Sequence, residues 1–146
     1  MTFKELNSLY DKKKILDRYK SRLVDRQERL KEIEARIGST GGSDYSGMPK
    51  SHSVNSSVEN LVISKMSLEA EIADLKSRIR VEEIEYKELE RRLDDLIYTC
   101  EDAHIRLLLQ YRFIDLMSWP RVAIAAGGNN TDDAVRKAVN RYIKKR

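Results

Sequence analysis

The sequence predicts an all-α protein: a long antiparallel helical hairpin (a coiled coil) followed by a small C-terminal helix-turn-helix module. Three observations carry that prediction. Two stretches repeat apolar residues every seven positions, a Gly/Ser-rich break lies between them, and beyond residue 100 the pattern changes to short apolar faces set between capping and turn residues. Of the 146 residues, 36% are charged and only 7% aromatic, a balance that favours helix over a large globular core.

Residues 1–37 read as the first coil helix. Leu9, Leu16, Leu23, Leu30 and Ile37 fall seven apart, and Tyr19 and Ile33 belong to a second series that Lys12 and Arg26 interrupt. So narrow a stripe suits packing along one side of a partner helix. The run Lys12-Lys13-Lys14 reads as a solvated helix face, with a phosphate contact as the sharper alternative. Residues 38–57 hold four of the six glycines, one of the two prolines and seven serines. That composition cannot sustain a helix and reads as a flexible connector, which Tyr45, Met48 and Val54 would pin to the coil. His52 has no Cys or His at ligand spacing, so it is not read as a metal ligand, and no other metal or cofactor site is evident.

Residues 58–100 are the long heptad helix. Val58, Lys65, Ile72, Ile79, Tyr86 and Leu93 form one series; Leu61, Leu68, Leu75, Glu82, Leu89 and Leu96 form the other. Such a stripe, roughly 58 Å long at about 1.5 Å per residue, needs another helix to cover it. Residues 1–37 carry eleven Lys/Arg against seven Asp/Glu, and residues 58–100 carry seven against eleven, so the two helices are complementary in charge. This favours the hairpin over self-pairing of the first helix. The second helix is wide enough to bind a second chain as well. Leu61, Leu68, Ile72, Leu75, Ile79, Tyr86, Leu89 and Leu93 are the candidate oligomer interface, with a dimer favoured. Lys65 and Glu82, polar residues in the seam, are candidates for fixing register. The single cysteine, Cys100, continues the first series and reads as a buried structural thiol.

Residues 101–146 read as the helix-turn-helix module. His104 to Ile114 has a dense apolar face (Ile105, Leu108 and Leu109, with Arg112 between Tyr111 and Phe113), and Asp115-Leu116-Met117 forms a turn. Ser118 caps a helix over Trp119–Ala126, with Pro120 in the first turn, where its missing N–H costs little. Gly127-Gly128-Asn129-Asn130 turns the chain. Thr131 caps a last helix whose first turn holds Asp132 and Asp133, favourable to the macrodipole. Val135, Ala138, Val139, Tyr142 and Ile143 form its apolar face. Six Lys/Arg and no acid lie among its last eleven residues. A basic helix after a tight turn is the electrostatic footprint of a helix lying near a phosphate backbone, so double-stranded DNA is the expected partner, with a solvated basic tail as the plainer alternative. Arg136, Lys137 and Asn140 are the candidate base contacts, because Arg suits guanine and Asn suits adenine in the major groove. Thr131, Arg141, Lys144, Lys145 and Arg146 are the candidate phosphate contacts, which supply affinity rather than sequence choice. Asp132 and Asp133 oppose phosphate.

Other classes fit less well. No apolar run is long enough to span a membrane, and Met1–Tyr10 has no signal-peptide character, so a cytoplasmic protein is expected. No histidine, carboxylate pair or Gly-rich phosphate loop stands at catalytic spacing, so no enzyme is read. A coiled-coil structural or DNA-packaging component, of small-terminase or scaffold type, is the alternative; the length of the coil motivates it.

The segments LLLQYRF, SWPRVAIAAGG and DDAVRKAVNRYIKK, within residues 105–146, resemble region 4 of sigma factors through Leu108, Tyr111, Ser118, Val122, Ala123 and Gly127, with a longer turn before Val135. With the coil, the linker segment Asp44–Pro49 (DYSGMP) and this C-terminal part, the chain is similar to phage late-gene transcription regulators of the RinA and ArpU type. The resemblance implies a phage or prophage regulator of late gene expression that binds promoter DNA in the bacterial host cytoplasm, with host RNA polymerase as a further partner.

Overall fold

The computed structural model describes residues 1–40 and 52–146. The expected roles of Tyr45, Met48, Val54, the His52 side chain and the Asp44–Pro49 segment lie outside what is described. Within it the chain is all-helical, with no strand. Helix α1 spans Phe3–Thr40 and α2 spans His52–Tyr98, each reaching a few residues into the expected connector. They are followed by α3 (Ala103–Leu109), a π-helical turn (Gln110–Ile114), α4 (Trp119–Ala126) and α5 (Asp132–Lys145). No helix among the described residues is long and apolar enough to cross a membrane.

The contacts divide the chain into two compact units: Met1–Ile15 with Glu82–Arg146, and Leu16–Val81. The expected boundary after Cys100 does not separate them. Cys100 is fully buried in the core of the first unit.

In the Leu16–Val81 unit, α1 and α2 pack through the heptad rows read from the sequence. Leu16, Ile72, Leu75 and Ile79 are buried. Leu23, Leu30, Ile33 and Ile37 on α1, and Leu61 and Leu68 on α2, are half-buried. Arg26 Nε donates to Glu71 at 2.7 Å, and Lys65 Nζ lies 3.7 Å from Glu34. The partner number falls as the other rises, so the helices run antiparallel.

The other unit is the larger. Its core joins both ends of the chain: Leu6 and Leu9 of α1, Leu93 and Leu96 of α2, Leu108 and Leu109 of α3, Phe113, Val122 of α4, and Val135 and Val139 of α5. Here Lys12 donates to Glu82 at 3.2 Å and also to Glu85. Lys12 interrupts the seam of one helix and Glu82 that of the other, and each break meets the other. Lys65 likewise finds Glu34. A shifted or parallel pairing would leave these charges against apolar neighbours, so they select one register while adding little stability at half-exposed sites. Lys13 and Lys14 lie over the rings of Tyr86 and Tyr10, at 5.4 and 4.6 Å from the centroids. The basic run is thus held against the protein's own surface.

The eight residues expected to form an oligomer interface face inward. Ile72, Leu75, Ile79 and Leu93 are buried within the single chain. Leu61, Leu68, Tyr86 and Leu89 are half-buried on the same face of α2. Packing within the chain already uses much of this stripe.

The start of α1 is a capping box. The Thr2 N–H donates to Glu5 Oε2 at 2.7 Å, and the Glu5 N–H donates to Thr2 Oγ1 at 3.2 Å. Glu5 also receives both arms of the Arg92 guanidinium, at 2.7 and 3.2 Å. Arg92, then the Thr2 N–H, holds the Glu5 carboxyl at a pKa of about 2, well below its ordinary 4.5. A depressed carboxylate pKa contributes stability above the unfolded-state value and loses it as pH falls through the folded one. Glu5→Gln should therefore destabilise the protein at neutral pH, by no more than about 1 kcal/mol at this partly exposed site. Urea denaturation at a series of pH values checks this: the difference from the parent should close between pH 4.5 and about 2.

Candidate nucleic-acid interface

The C-terminal helices are placed by local signals that can be followed residue by residue. Asp102 caps α3, its carboxylate accepting from the His104 and Ile105 N–H groups. Past the π-helical turn the chain reverses at Leu116, whose φ is 56°, and the Met117 N–H closes the turn on the Tyr111 carbonyl at 3.0 Å. A leucine in the left-handed region costs about 1–2 kcal/mol; packing of Leu116 against the core offsets it.

Arg112 locks this corner. Its guanidinium stacks 3.7 Å over the Tyr10 ring and 4.9 Å from the Trp119 ring, and Nη1 donates to the Met117 carbonyl at 2.9 Å. Burial lowers its pKa from the ordinary arginine value, and its Nε is buried without a partner. In the sequence Arg112 falls in an apolar face between Tyr111 and Phe113. The rings that sandwich the cation are Tyr10 and Trp119, not its sequence neighbours Tyr111 and Phe113, so the local pattern does not show the pairing.

Ser118 occupies the N-cap of α4, with Pro120 in the first turn, but its side chain accepts no capping hydrogen bond. The Ser118 carbonyl instead takes the Val122 N–H at 2.9 Å. Val122 and Ala123 point into the core. Gly127 and Gly128 both have positive φ, 75° and 69°, which side-chain-bearing residues adopt only at a cost. Asn130 Nδ2 donates back to the Gly127 carbonyl at 2.8 Å. Thr131 then caps α5, its hydroxyl accepting from the Ala134 N–H at 3.1 Å.

Helix α5 buries Val135, Val139 and Ile143, and Ala138 and Tyr142 are partly covered on the same side. The Tyr142 hydroxyl sits against Cys100, and that hydrogen bond together with burial raises its pKa. Of the predicted base contacts, Arg136 and Lys137 are exposed and Asn140 is half-buried. Arg136 and Lys137 both bind Asp133, at 2.8 and 2.7 Å. The two cations, Lys137 first, lower the Asp133 pKa. Of the predicted phosphate contacts, Thr131 is engaged as a cap, whereas Arg141, Lys144 and Lys145 are exposed and make no ion pair among the described residues.

Arg146 departs from expectation. It donates to the Leu96 carbonyl at 3.4 Å and to the Thr99 hydroxyl, so it fastens the end of α5 to the end of α2. The sequence contained the signal: Arg146 stands three, seven and eleven residues after Ile143, Val139 and Val135, which is their side of a helix. The outward cationic group is therefore Arg141, Lys144 and Lys145, with Arg136 and Lys137 behind it in partial neutralisation.

No protein-family model matches the chain, and no curated protein or solved structure does either.

Proposed function

We propose that this protein is a transcription regulator that binds double-stranded promoter DNA, with α4 and α5 as a helix-turn-helix and α5 as the helix entering the major groove. One observation carries this reading: α5 buries Val135, Val139 and Ile143 and turns toward solvent a face whose last turns hold three cations that make no ion pair among the described residues. Lone surface cations in such a row suit phosphates. Arg141, Lys144 and Lys145 serve the backbone; Asn140, Arg136 and Lys137 serve the base edges. The resemblance to sigma region 4 and to phage late-gene regulators supports the same reading and extends it to late-gene control in the cytoplasm of a bacterial host, with host RNA polymerase as a second partner.

Duplex-DNA affinity of the full chain across a salt series is the test. Binding that weakens steeply with salt supports the reading; no binding at low salt refutes it. The Asp133 pairs supply a sharper expectation. Exposed ion pairs are worth little, so phosphate can compete for Arg136 and Lys137, while the Asp133 carboxylate itself repels DNA. Asp133→Asn should tighten duplex binding several-fold and steepen its salt dependence, as measured by fluorescence anisotropy. Unchanged or weaker binding would show that this half of α5 does not face DNA.

A further inference from the structure

The Leu16–Val81 unit has two apolar rows on α2, and packing against α1 uses only one. The other is Ile63, Met66, Ala70, Ala73 and Val81, with the small polar Ser77 among them, three or four residues apart and all exposed. Ile63 and Met66 each retain 64% of their accessible surface and Val81 retains 59%. The solvent side of a two-helix hairpin is ordinarily charged, and a continuous apolar row there marks an interaction surface.

We propose that this row docks a second copy of the chain, antiparallel, about a two-fold axis near residue 72. The argument is self-complementarity. In a two-fold interface, if one residue meets another, the second must meet the first in the other copy. Read in either direction, the row has bulky residues at its ends and small ones in the middle. Antiparallel pairing sets Ile63 opposite Val81 of the second copy, Met66 opposite Ser77, and Ala70 opposite Ala73. The small central residues let the two backbones approach, and the bulky ends close the contact over roughly 27 Å at about 1.5 Å per residue.

The flanking charges agree. Glu69 and Lys76 border the row on one side, seven residues apart, so the antiparallel arrangement sets Glu69 of each copy beside Lys76 of the other. Parallel in-register pairing would set Glu69 level with Glu69 and Lys76 level with Lys76. Among the described residues Lys76 makes no ion pair and Glu69 pairs with Lys65 alone, at 4.0 Å.

Sedimentation equilibrium of the full chain at tens of micromolar tests this, with circular dichroism as the check on helix content. A dimer is expected. Ala70→Glu, at an exposed position that leaves the hairpin core untouched, should weaken dimerisation by at least about tenfold, because it buries two carboxylates near the axis. Glu69→Lys should weaken it several-fold, and adding Lys76→Glu should restore it. That charge-swapped pair keeps the test intact should Ala70→Glu lose helix. A monomer, an assembly larger than two, or a dimer indifferent to the Glu69 and Lys76 changes would overturn the proposal.

Discussion

Replacing Arg141, Lys144 and Lys145 together by alanine is expected to lower duplex-DNA affinity by about two orders of magnitude near 0.1 M salt. The estimate follows from counterion release. Each neutralised phosphate contributes close to one unit of slope of log affinity against log salt, so removing three contacts should flatten that slope by nearly three. Because the three side chains are exposed and make no ion pair among the described residues, the triple variant should keep its melting temperature. Loss of affinity would then be a loss of contact, not of fold. All sequences should suffer alike, since phosphates carry no base information. A triple variant with unaltered affinity and slope would remove α5 from the DNA surface. Arg146→Ala should behave in the opposite way, costing stability at the α5–α2 junction more than DNA affinity.

Phe113→Ala should destabilise the protein by about 3–5 kcal/mol, the range for truncating a buried phenylalanine. Phe113 is 1% exposed and meets the Trp119 ring edge-on, with centroids 6.2 Å apart. It lies in a core shared by α1, α2 and all the C-terminal helices. In a unit of this size each kcal/mol moves the midpoint by about 4–8 °C, so a fall of at least about 12 °C is expected by calorimetry. The same core gives a further expectation for hydrogen exchange: the amides of Leu9, Leu93, Leu108 and Val139 should lose protection together, although they are far apart in sequence. Independent loss in α5 alone would mean that the C-terminal helices form a separate core. Sharing also means that cutting the chain after Cys100 would expose Leu6, Leu9, Leu93 and Leu96 to water, so surface substitutions test DNA binding more cleanly than truncation.

Much of the fold could be read from local pattern, because its signals are local. A heptad stripe states which face of a helix must be covered, and every position of the two α2 series from Leu61 to Leu96 is buried or half-buried. Gly127 and Gly128 act through their own backbone preferences and Thr131 through its capping hydroxyl, and all three are found where expected. The capping box at Thr2 and Glu5 is equally local, its two residues three apart at the start of α1.

Periodicity names the face of a helix that must be covered but does not identify what covers it. Hence the inward row of α2, expected to meet another chain, packs within this chain, with Leu61, Leu68, Tyr86 and Leu89 left half-buried. Long-range partners were also out of reach. Lys12 and Glu82 each look like a defect in a stripe until the hairpin brings them within 3.2 Å. Arg112 looks misplaced until Tyr10 and Trp119 close around it. The sequence by itself determined the all-α class, the paired stripes, the turn before α5 and the basic end of that helix. Tertiary structure alone decided which charges remain free, since that depends on what the folded chain places within reach: Asp133 holds Arg136 and Lys137, and the end of α2 holds Arg146. Arg141, Lys144 and Lys145 remain open to a partner because no acidic group among the described residues pairs with them.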